Sequence, residues 1–249
     1  MSALLRNHSF ASAWRRLRAL LGGLGLGGTC SLLAGTIDDR WFKTFDRRYR
    51  VKTSGFIVLN QTSFNPERLR DATQYGPTNG WAVRRIFKRL NLPRESRFCD
   101  VGSGLGRICI LAAEYGFAKT TGVELAAEFC EVAQANIATC RLPPAQRATI
   151  EIRQMDALDY CATSDDDVFF MFRPFSGEFL GKVLDKLAAR SRERRRPLTI
   201  IYSERAMVGV NHADTIAAHG AFQKKLEAIH WGQAFYVFES ARSNPGTAK

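Results

Sequence analysis

Apolar and polar positions alternate in regular blocks from residue 81 onward, and the blocks predict strands followed by helices. Short apolar runs of strand length are Arg97–Val101, Lys119–Glu124, Thr149–Gln154, Asp167–Phe172 and Leu198–Tyr202. Longer stretches with apolar residues at helical spacing are Trp81–Leu90, Gly106–Tyr115, Ala127–Cys140 and Gly177–Arg190. Because strands alternate with helices, we expect a parallel sheet that is covered on both faces.

The order changes near the end of the chain. Two extended runs, Phe222–Ile229 and Ala234–Ser240, are separated by a short connection that contains Gly232. Such a connection predicts a hairpin. The predicted fold class is therefore α/β, with a three-layer, doubly wound, mostly parallel sheet that ends in a C-terminal antiparallel hairpin.

Residues 1–36 contain no Asp or Glu and place several arginines before Ala19–Gly35, a glycine-rich stretch without charge. A secretory signal peptide and an organelle transit peptide both have this kind of composition. We favour a third interpretation, a basic extension that either lacks order or lies on a membrane surface through Trp14 and the leucines after it. A spanning helix is disfavoured because it needs about 20 strongly apolar residues.

Composition divides the chain into four segments. They are the basic N-terminal extension 1–36, an N-terminal cap 37–90, the main domain 91–241 and a disordered tail 242–249. Within the cap, Gly55–Leu59 is a short apolar run that predicts a strand, and residues 71–80 are dense in turn formers.

The formal net charge of +12 is high for this length and is unevenly distributed. Residues 1–53 hold ten Lys or Arg against three acids, and a second cluster consists of Arg190, Arg192, Arg194, Arg195 and Arg196. Such surfaces favour anionic partners: nucleic acid, acidic protein, anionic lipid or an acidic small molecule. We favour the simpler interpretation that the cations are solvated, since no aromatic-interleaved nucleic-acid motif accompanies them.

The six cysteines show neither a CxxC pair nor a Cys/His spacing typical of a metal site. They are typical of small buried residues in a reducing compartment. We therefore predict no metal and a cytoplasmic location. Membrane association and organelle targeting by residues 1–36 stay open.

The most informative stretch follows an apolar run and is Asp100-Val101-Gly102-Ser103-Gly104-Leu105-Gly106. A strand ends in an acid, three glycines follow at alternate positions, and a helix begins. Glycines allow a sharp turn and let a ligand approach the backbone closely. Because Asp100 would repel a dinucleotide pyrophosphate at this helix N-terminus, the acid favours a cationic ligand.

This stretch resembles the first motif of the class I, seven-strand S-adenosylmethionine-dependent methyltransferases, and the resemblance extends over roughly residues 70–240. It implies a Rossmann-like fold, S-adenosylmethionine as the cofactor, and a cap that covers it. The cofactor-binding residues implied in the turn are Asp100, Gly102, Ser103, Gly104 and Gly106. The sulfonium and ammonium groups of this cofactor agree with an acid before the glycines.

Two later segments complete the implied cofactor site. In Gly122-Val123-Glu124-Leu125, the resemblance implies that Glu124 accepts hydrogen bonds from both ribose hydroxyls, because a carboxylate offers two oxygens to a diol. In Gln154-Met155-Asp156-Ala157, it implies that Asp156 meets the adenine amino group. The alternatives are a helix-capping acid at Glu124 and a solvated loop acid at Asp156, for which Asp159 could substitute.

The methyl-transfer site is implied at Arg173-Pro174-Phe175, after the fourth strand. Many amine methyltransferases have an Asn-Pro-Pro-Tyr-like run here, whereas Arg173 offers five donors and no acceptor. This disfavours a nucleobase or glutamine nitrogen as the acceptor and suits a carboxylate or phosphate, unless Arg173 turns outward or pairs with an acid.

Tyr75, in the turn Tyr75–Thr78, is the fourth candidate at the transfer site. A related turn occurs in bacterial class I methyltransferases of unassigned substrate and loosely in the seven-strand lysine methyltransferases. The resemblance implies that this loop lies across the cofactor, where the ring of Tyr75 could face the sulfonium. The alternative is an entry turn whose Tyr75 packs on the core.

The predicted function is transfer of a methyl group from S-adenosylmethionine to an acceptor, with a protein lysine or a small anionic molecule as the favoured classes. The sequence identifies no catalytic base. His212 is a candidate only because it follows the fifth strand, and an exposed loop histidine is the favoured interpretation. A non-catalytic cofactor-binding domain that contacts protein or RNA is the alternative. A nicotinamide oxidoreductase is disfavoured by Asp100.

Overall fold

The structure is a computed structural model that describes residues 42–54, 76–175, 177–205 and 212–241. The predictions for residues 1–36, for Gly55–Leu59, for Tyr75 and for the tail 242–249 lie outside these ranges. Within them, no helix is both long and apolar enough to cross a bilayer.

The strands of the described residues form one sheet. They are β1 (Arg97–Val101), β2 (Lys119–Glu124), β3 (Ile150–Gln154), β4 (Val168–Phe172), β5 (Thr199–Arg205), β6 (Phe222–His230) and β7 (Gln233–Ser240). The strand order is β3-β2-β1-β4-β5-β7-β6. Strands β1 to β5 run parallel, and β7 lies antiparallel between β5 and β6. The predicted parallel sheet and its terminal antiparallel hairpin are therefore confirmed.

Helices cover both faces of the sheet. Among the described residues they are α1 (42–49), α2 (Gly80–Leu90), α3 (Arg107–Tyr115), α4 (Ala127–Thr139), α5 (Pro144–Arg147), α6 (Ala157–Thr163), α7 (Gly177–Arg194) and α8 (Ala213–Ala218). One buried cluster contains side chains of α1 to α3, and the other contains side chains of α6 to α8. In β4, Phe169 and Met171 belong to the second cluster and Phe170 to the first, which explains its unbroken apolar run.

Four helices, α1, α5, α6 and α8, were not predicted from the apolar pattern. Helices α5, α6 and α8 are too short for a helical period to be visible. Local sequence features start α5 and α6. Pro144 occupies the first turn of α5, and the side chain of Asp156 caps α6. Short helices of this kind are set by their first residues rather than by periodicity.

Helix α7 continues beyond its predicted end at Arg190, and two of its arginines form ion pairs. Arg190 contacts Asp165 at 2.9 Å and Glu193 at 2.7 Å. Arg194 contacts Asp167 at 3.0 Å. These two arginines of the second basic cluster are therefore paired rather than solvated, and they join α7 to the connection before β4.

The hairpin β6–β7 turns at Trp231 and Gly232, which both have positive φ, +48° and +74°. Two adjacent residues with positive φ match the twist of antiparallel strands. Strand β6 is the edge of the sheet, and its register with β7 shifts between Lys224 and Leu226. Lys224 and Lys225 are exposed at this shift.

The described cysteines are buried and unpaired, as predicted for small core residues. They are Cys99, Cys109, Cys130, Cys140 and Cys161. Within the described residues, no group of His, Cys, Asp and Glu is arranged to hold a metal ion.

Asn136 of α4 ties residues 51–54 to the turn that follows β1. Its side-chain oxygen accepts from the N–H of Lys52 at 2.8 Å, and its amide nitrogen donates to the carbonyl of Lys52 at 3.1 Å. The same nitrogen donates to the carbonyl of Leu105 at 3.0 Å. A single buried amide thus satisfies three backbone groups from two distant segments.

Removal of this amide will destabilise the fold. We expect Asn136→Ala to lower the free energy of unfolding by about 1–3 kcal/mol, because buried backbone groups lose their partners. Urea unfolding measures the change. Gln134→Ala, an exposed position on the same helix, is the control and should change stability by less than about 0.5 kcal/mol. Equal effects at both positions would contradict the assignment.

Candidate functional site

The turn after β1 depends on backbone angles that favour glycine. Gly102, Gly104 and Gly106 have φ of +75°, +50° and +83°, in the left-handed region where other residues are strained. The N–H groups of Gly102 and Ser103 both donate to the carbonyl of Val123, at 2.9 Å and 3.0 Å. The turn is therefore held against the end of β2, as the sequence motif predicts.

Gly102 also lies against the segment after β4. A Cβ placed on Gly102 would lie 2.7 Å from the Cβ of Pro174, closer than real contacts allow. The first glycine of the motif therefore provides the space that Pro174 occupies. This contact brings the predicted transfer segment directly beside the predicted cofactor turn.

Glu124 is buried, and both of its carboxylate oxygens accept hydrogen bonds from backbone amides. One carboxylate oxygen accepts from Gly104 N at 2.9 Å, and the other accepts from Leu125 N at 2.8 Å and Ala126 N at 3.0 Å. Burial raises the pKa of Glu124, and these hydrogen bonds lower it again. Since a carboxylate has about four lone-pair positions, Glu124 retains capacity for a further donor.

Asp100 of β1 is a second buried carboxylate close to Glu124. Burial raises its pKa well above the ordinary range, and the nearby charge of Glu124 raises it further. Its contact with a described side chain is with the thiol of Cys109, 3.9 Å away. Two buried acids with so little compensating positive charge suit a ligand that is itself cationic.

Asp156 and Ala157 lie where the third strand leads into α6. Asp156 is half-buried, and its side chain accepts from Leu158 N at 2.7 Å. The acid that the resemblance implies at the adenine is thus also the cap of this helix. Asp159 is exposed in the first turn of the same helix.

The candidates after β4 have different environments. Arg173 has a positive φ of +43°, which is uncommon for a residue with a side chain. Pro174 packs on Gly102, as described above. Phe175 is buried, and its ring contacts that of Phe179 at a centroid distance of 4.9 Å. Arg173 and Pro174 therefore reach the site edge, whereas Phe175 belongs to the core below it.

Sequence analysis did not identify two polar residues of β5, Tyr202 and Glu204, as candidate site residues. Both are buried on the same face of the strand, and the Tyr202 hydroxyl and Glu204 Oε2 have no hydrogen-bond partner among the described residues. Burial raises the pKa of Glu204, whereas the charge of Arg173 lowers it. The segment Ile201-Tyr202-Ser203-Glu204 gave one signal, an acid near the end of a buried strand.

Arg107 is a further residue that sequence analysis missed. Its buried guanidinium donates to Thr53 Oγ1 at 2.9 Å and to the carbonyl of Thr78 at 3.3 Å, and it forms an ion pair with Asp46 at 3.3 Å. It also lies over the ring of Phe45, 4.3 Å from the centroid. The residue after the last glycine therefore anchors both segments that flank residues 55–75.

A side chain at Gly102 should disrupt the contact with Pro174. We expect Gly102→Ala to lower the free energy of unfolding by at least about 2 kcal/mol, from left-handed strain and the clash. Gly181→Ala is the control, since nothing lies within 4 Å of a Cβ there. That helical substitution should raise stability by about 0.5–1 kcal/mol. Urea unfolding of both variants decides the matter, and a neutral Gly102→Ala would refute the packing described.

The raised pKa of Asp100 sets a pH dependence of stability. Unfolded carboxyls titrate near about pH 4, so above that pH the folded protein binds more protons at Asp100 than the unfolded chain does. Stability therefore falls as pH rises from the unfolded pKa towards the raised folded pKa. We expect Asp100→Asn to reduce this fall in urea unfolding curves measured from about pH 4 to about pH 8. Asp159→Asn, at an exposed acid, should leave the fall unchanged.

Comparison with family models connects this geometry to known proteins. Residues 57–142 match the model described as "Histone methylation protein DOT1". The match includes the glycine turn, Glu124 and Asn136. No curated protein matches the chain.

Solved structures share the fold. A candidate methyltransferase from Escherichia coli, yhhF, is similar with a TM-score of 0.52 and 14% identity over 68% of this chain and 90% of its own. An RNA methyltransferase from Salinibacter ruber in complex with S-adenosyl-L-homocysteine has a TM-score of 0.48 and 20% identity, over 70% of this chain and 99% of its own.

The matched model and the fold agree with the resemblance found in the sequence. The matched residues include those that form the turn after β1 and the acid after β2. The overall fold is similar to that of the Escherichia coli structure. The described residues therefore share the fold of the Escherichia coli structure, and residues 57–142 are similar to a family that methylates histones.

Proposed function

We propose that this protein is an S-adenosylmethionine-dependent methyltransferase that acts on the side-chain amine of a protein lysine. The observation that carries the proposal is the buried carboxylate of Glu204, whose Oε2 has no hydrogen-bond partner among the described residues. An unpartnered buried acceptor is costly unless a donor reaches it. A lysine amine is a donor of suitable charge, and the matched model describes proteins that methylate histones.

Residues that would hold the cofactor are those of the glycine turn, Asp100 and Glu124. Their carboxylates provide the negative charge and the acceptors that a cationic nucleoside needs. When bound, S-adenosylmethionine supplies a methyl group activated by a sulfonium. Asp156, which is half-buried, is proposed for the adenine amino group.

Glu204 and Arg173 would prepare the lysine for transfer. A lysine amine is an ammonium ion at neutral pH, with a pKa near about 10.4, and it must lose a proton before its nitrogen can attack. Burial lowers the pKa of His212 and the charge of Arg173 lowers it further, and the same charge would disfavour an ammonium ion. Glu204 Oε2 would accept the released proton, while the hydroxyl of Tyr202 offers a second hydrogen bond.

Pro174 would then define the distance between acceptor and cofactor. Ser203 of β5 pairs with Phe172 of β4, so Arg173 and Glu204 extend from neighbouring positions on adjacent strands. Pro174, next along the chain, packs on Gly102. A group held at Glu204 would thus lie close to the glycine turn. This closeness matters because alignment of the reacting atoms is the main source of catalysis in this type of displacement.

A small anionic acceptor is the second candidate, and Arg173 favours it. The guanidinium offers several donors in a plane and pairs well with a carboxylate or a phosphate. It lies near Tyr202, Glu204 and His212, because its charge affects the pKa of each. In this alternative, Arg173 would hold the acceptor and Glu204 would act only as a neighbour that orients it.

Glu204→Gln tests the lysine proposal. The full chain is incubated with methyl-labelled S-adenosylmethionine and a cell protein extract, and the proteins are hydrolysed to identify methyl-lysine. We expect labelled methyl-lysine with the wild type and at least about 100-fold less with Glu204→Gln, because a proton acceptor is lost. Titration calorimetry should show unchanged affinity for S-adenosylhomocysteine.

Glu227→Gln, at an exposed acid of β6, is the matched control and should transfer as the wild type does. Label found only in the small-molecule fraction would replace the lysine proposal with the anionic alternative. A wild type that binds S-adenosylhomocysteine but labels neither fraction would overturn both acceptors.

A further inference from the structure

A cluster of exposed apolar and cationic side chains lies outside the transfer site and has no role in the reaction described above. We call it the Trp-Arg surface. It consists of Trp81, Arg85, Lys88 and Arg89 on α2 and of Ile229 and Trp231 on the β6–β7 hairpin.

The helical part of this surface is a single stripe. Trp81, Arg85, Lys88 and Arg89 follow one another at helical spacing, so they share one side of α2. The ring of Trp81 is 44% exposed. Helix α2 contains no acid, and no carboxylate of the described residues lies within 4.0 Å of the three cations. The stripe is therefore an aromatic ring followed by three positive charges without paired acids.

The hairpin part exposes apolar side chains at its tip. Ile229 is 63% exposed and Trp231 is 52% exposed. Neighbouring residues of a strand point to opposite faces, so Ile229 lies on the face opposite to His230, and Trp231 occupies the turn itself. An apolar tip of this kind projects from the protein instead of lining a groove.

The two parts adjoin at the hairpin turn. The N–H of Asn79, which caps α2, donates to the side-chain oxygen of Gln233 at 3.0 Å. Farther along the helix, burial lowers the pKa of His230, and the charges of Arg85 and Arg89 lower it further. The first turn of α2 thus lies beside the hairpin turn, and its arginines lie beside the end of β6.

We propose that the Trp-Arg surface docks onto a bilayer that contains anionic lipids. Tryptophan is enriched at the boundary between water and lipid, where its ring is half apolar. Arginine and lysine next to it are attracted by anionic headgroups. Single-stranded nucleic acid needs aromatic rings within a cationic groove, and a flat protein partner would meet only one face of the hairpin, so the projecting tip favours a lipid.

Docking would also orient the transfer site. Gln233 at the start of β7 pairs with Arg205 at the carboxyl end of β5, so the hairpin turn lies at the same edge of the sheet as the glycine turn. A membrane bound by Trp231 and Trp81 would therefore lie close to this edge. The surface selects acceptors near a bilayer, whatever their chemical class.

Sedimentation with vesicles tests the proposal on the full chain. We expect binding to vesicles of phosphatidylcholine and phosphatidylglycerol, and little binding to phosphatidylcholine alone. The double variants Ile229→Ser with Trp231→Ser, and Arg85→Glu with Arg89→Glu, should each lower the apparent affinity by at least about tenfold. Val132→Ser and Arg192→Glu are matched controls at exposed positions away from the surface, and both should bind as the wild type does.

Three outcomes would overturn the proposal. The first is no vesicle binding by the wild type. The second is binding that the double variants retain, which would place any lipid contact elsewhere in the chain. The third is a wild type that binds an oligothymidylate but not vesicles, together with double variants that no longer bind the oligothymidylate. That result would assign the surface to nucleic acid. S-adenosylhomocysteine affinity, measured for each variant, reports separately on folding and on the proposed cofactor site.

Discussion

The proposed cofactor site, at the carboxyl ends of β1 and β2, depends on the buried carboxylate of Glu124. Three backbone N–H groups, from Gly104, Leu125 and Ala126, converge on its two oxygens. Such charge-assisted hydrogen bonds offset the cost of removing the charge from water. The amides belong to the connections after two different strands, so the glycine turn cannot shift without disturbing the end of β2. The glycine turn and the end of β2 therefore hold one another in place.

The transfer segment and the N-terminal segment are fixed to the same turn by different means. Pro174 meets Gly102 through shape alone, since only a residue without a Cβ leaves room for it. Arg107 and Asn136 instead use buried hydrogen bonds to hold residues 51–54. Buried polar groups tolerate little misplacement, because each lost partner is costly. The site is therefore assembled from segments far apart in sequence around one short turn.

The fold and the glycine turn could be predicted because their physical requirements leave marks on residue type. Positive φ in the turn requires glycines at 102, 104 and 106, and the strand periods are clear. Glu204 could not be found in this way, because its role depends on a neighbour, Arg173, that β4 brings to it. In the sequence, Trp81 and Trp231 look the same as the buried apolar residues of a helix and a hairpin. Their exposure follows only from tertiary packing, which a single sequence does not encode in any local pattern.

Strand β6 has a consequence for how copies of this chain meet. An open sheet edge presents unpaired backbone groups that can recruit a strand from another molecule. Here the register shift between Lys224 and Leu226 breaks the regular spacing of those groups, and the lysines place positive charge along the edge. Two such edges would therefore be out of step with one another. The protein can therefore accumulate at high local concentration, as on a crowded surface, without extending its sheet into a neighbouring copy.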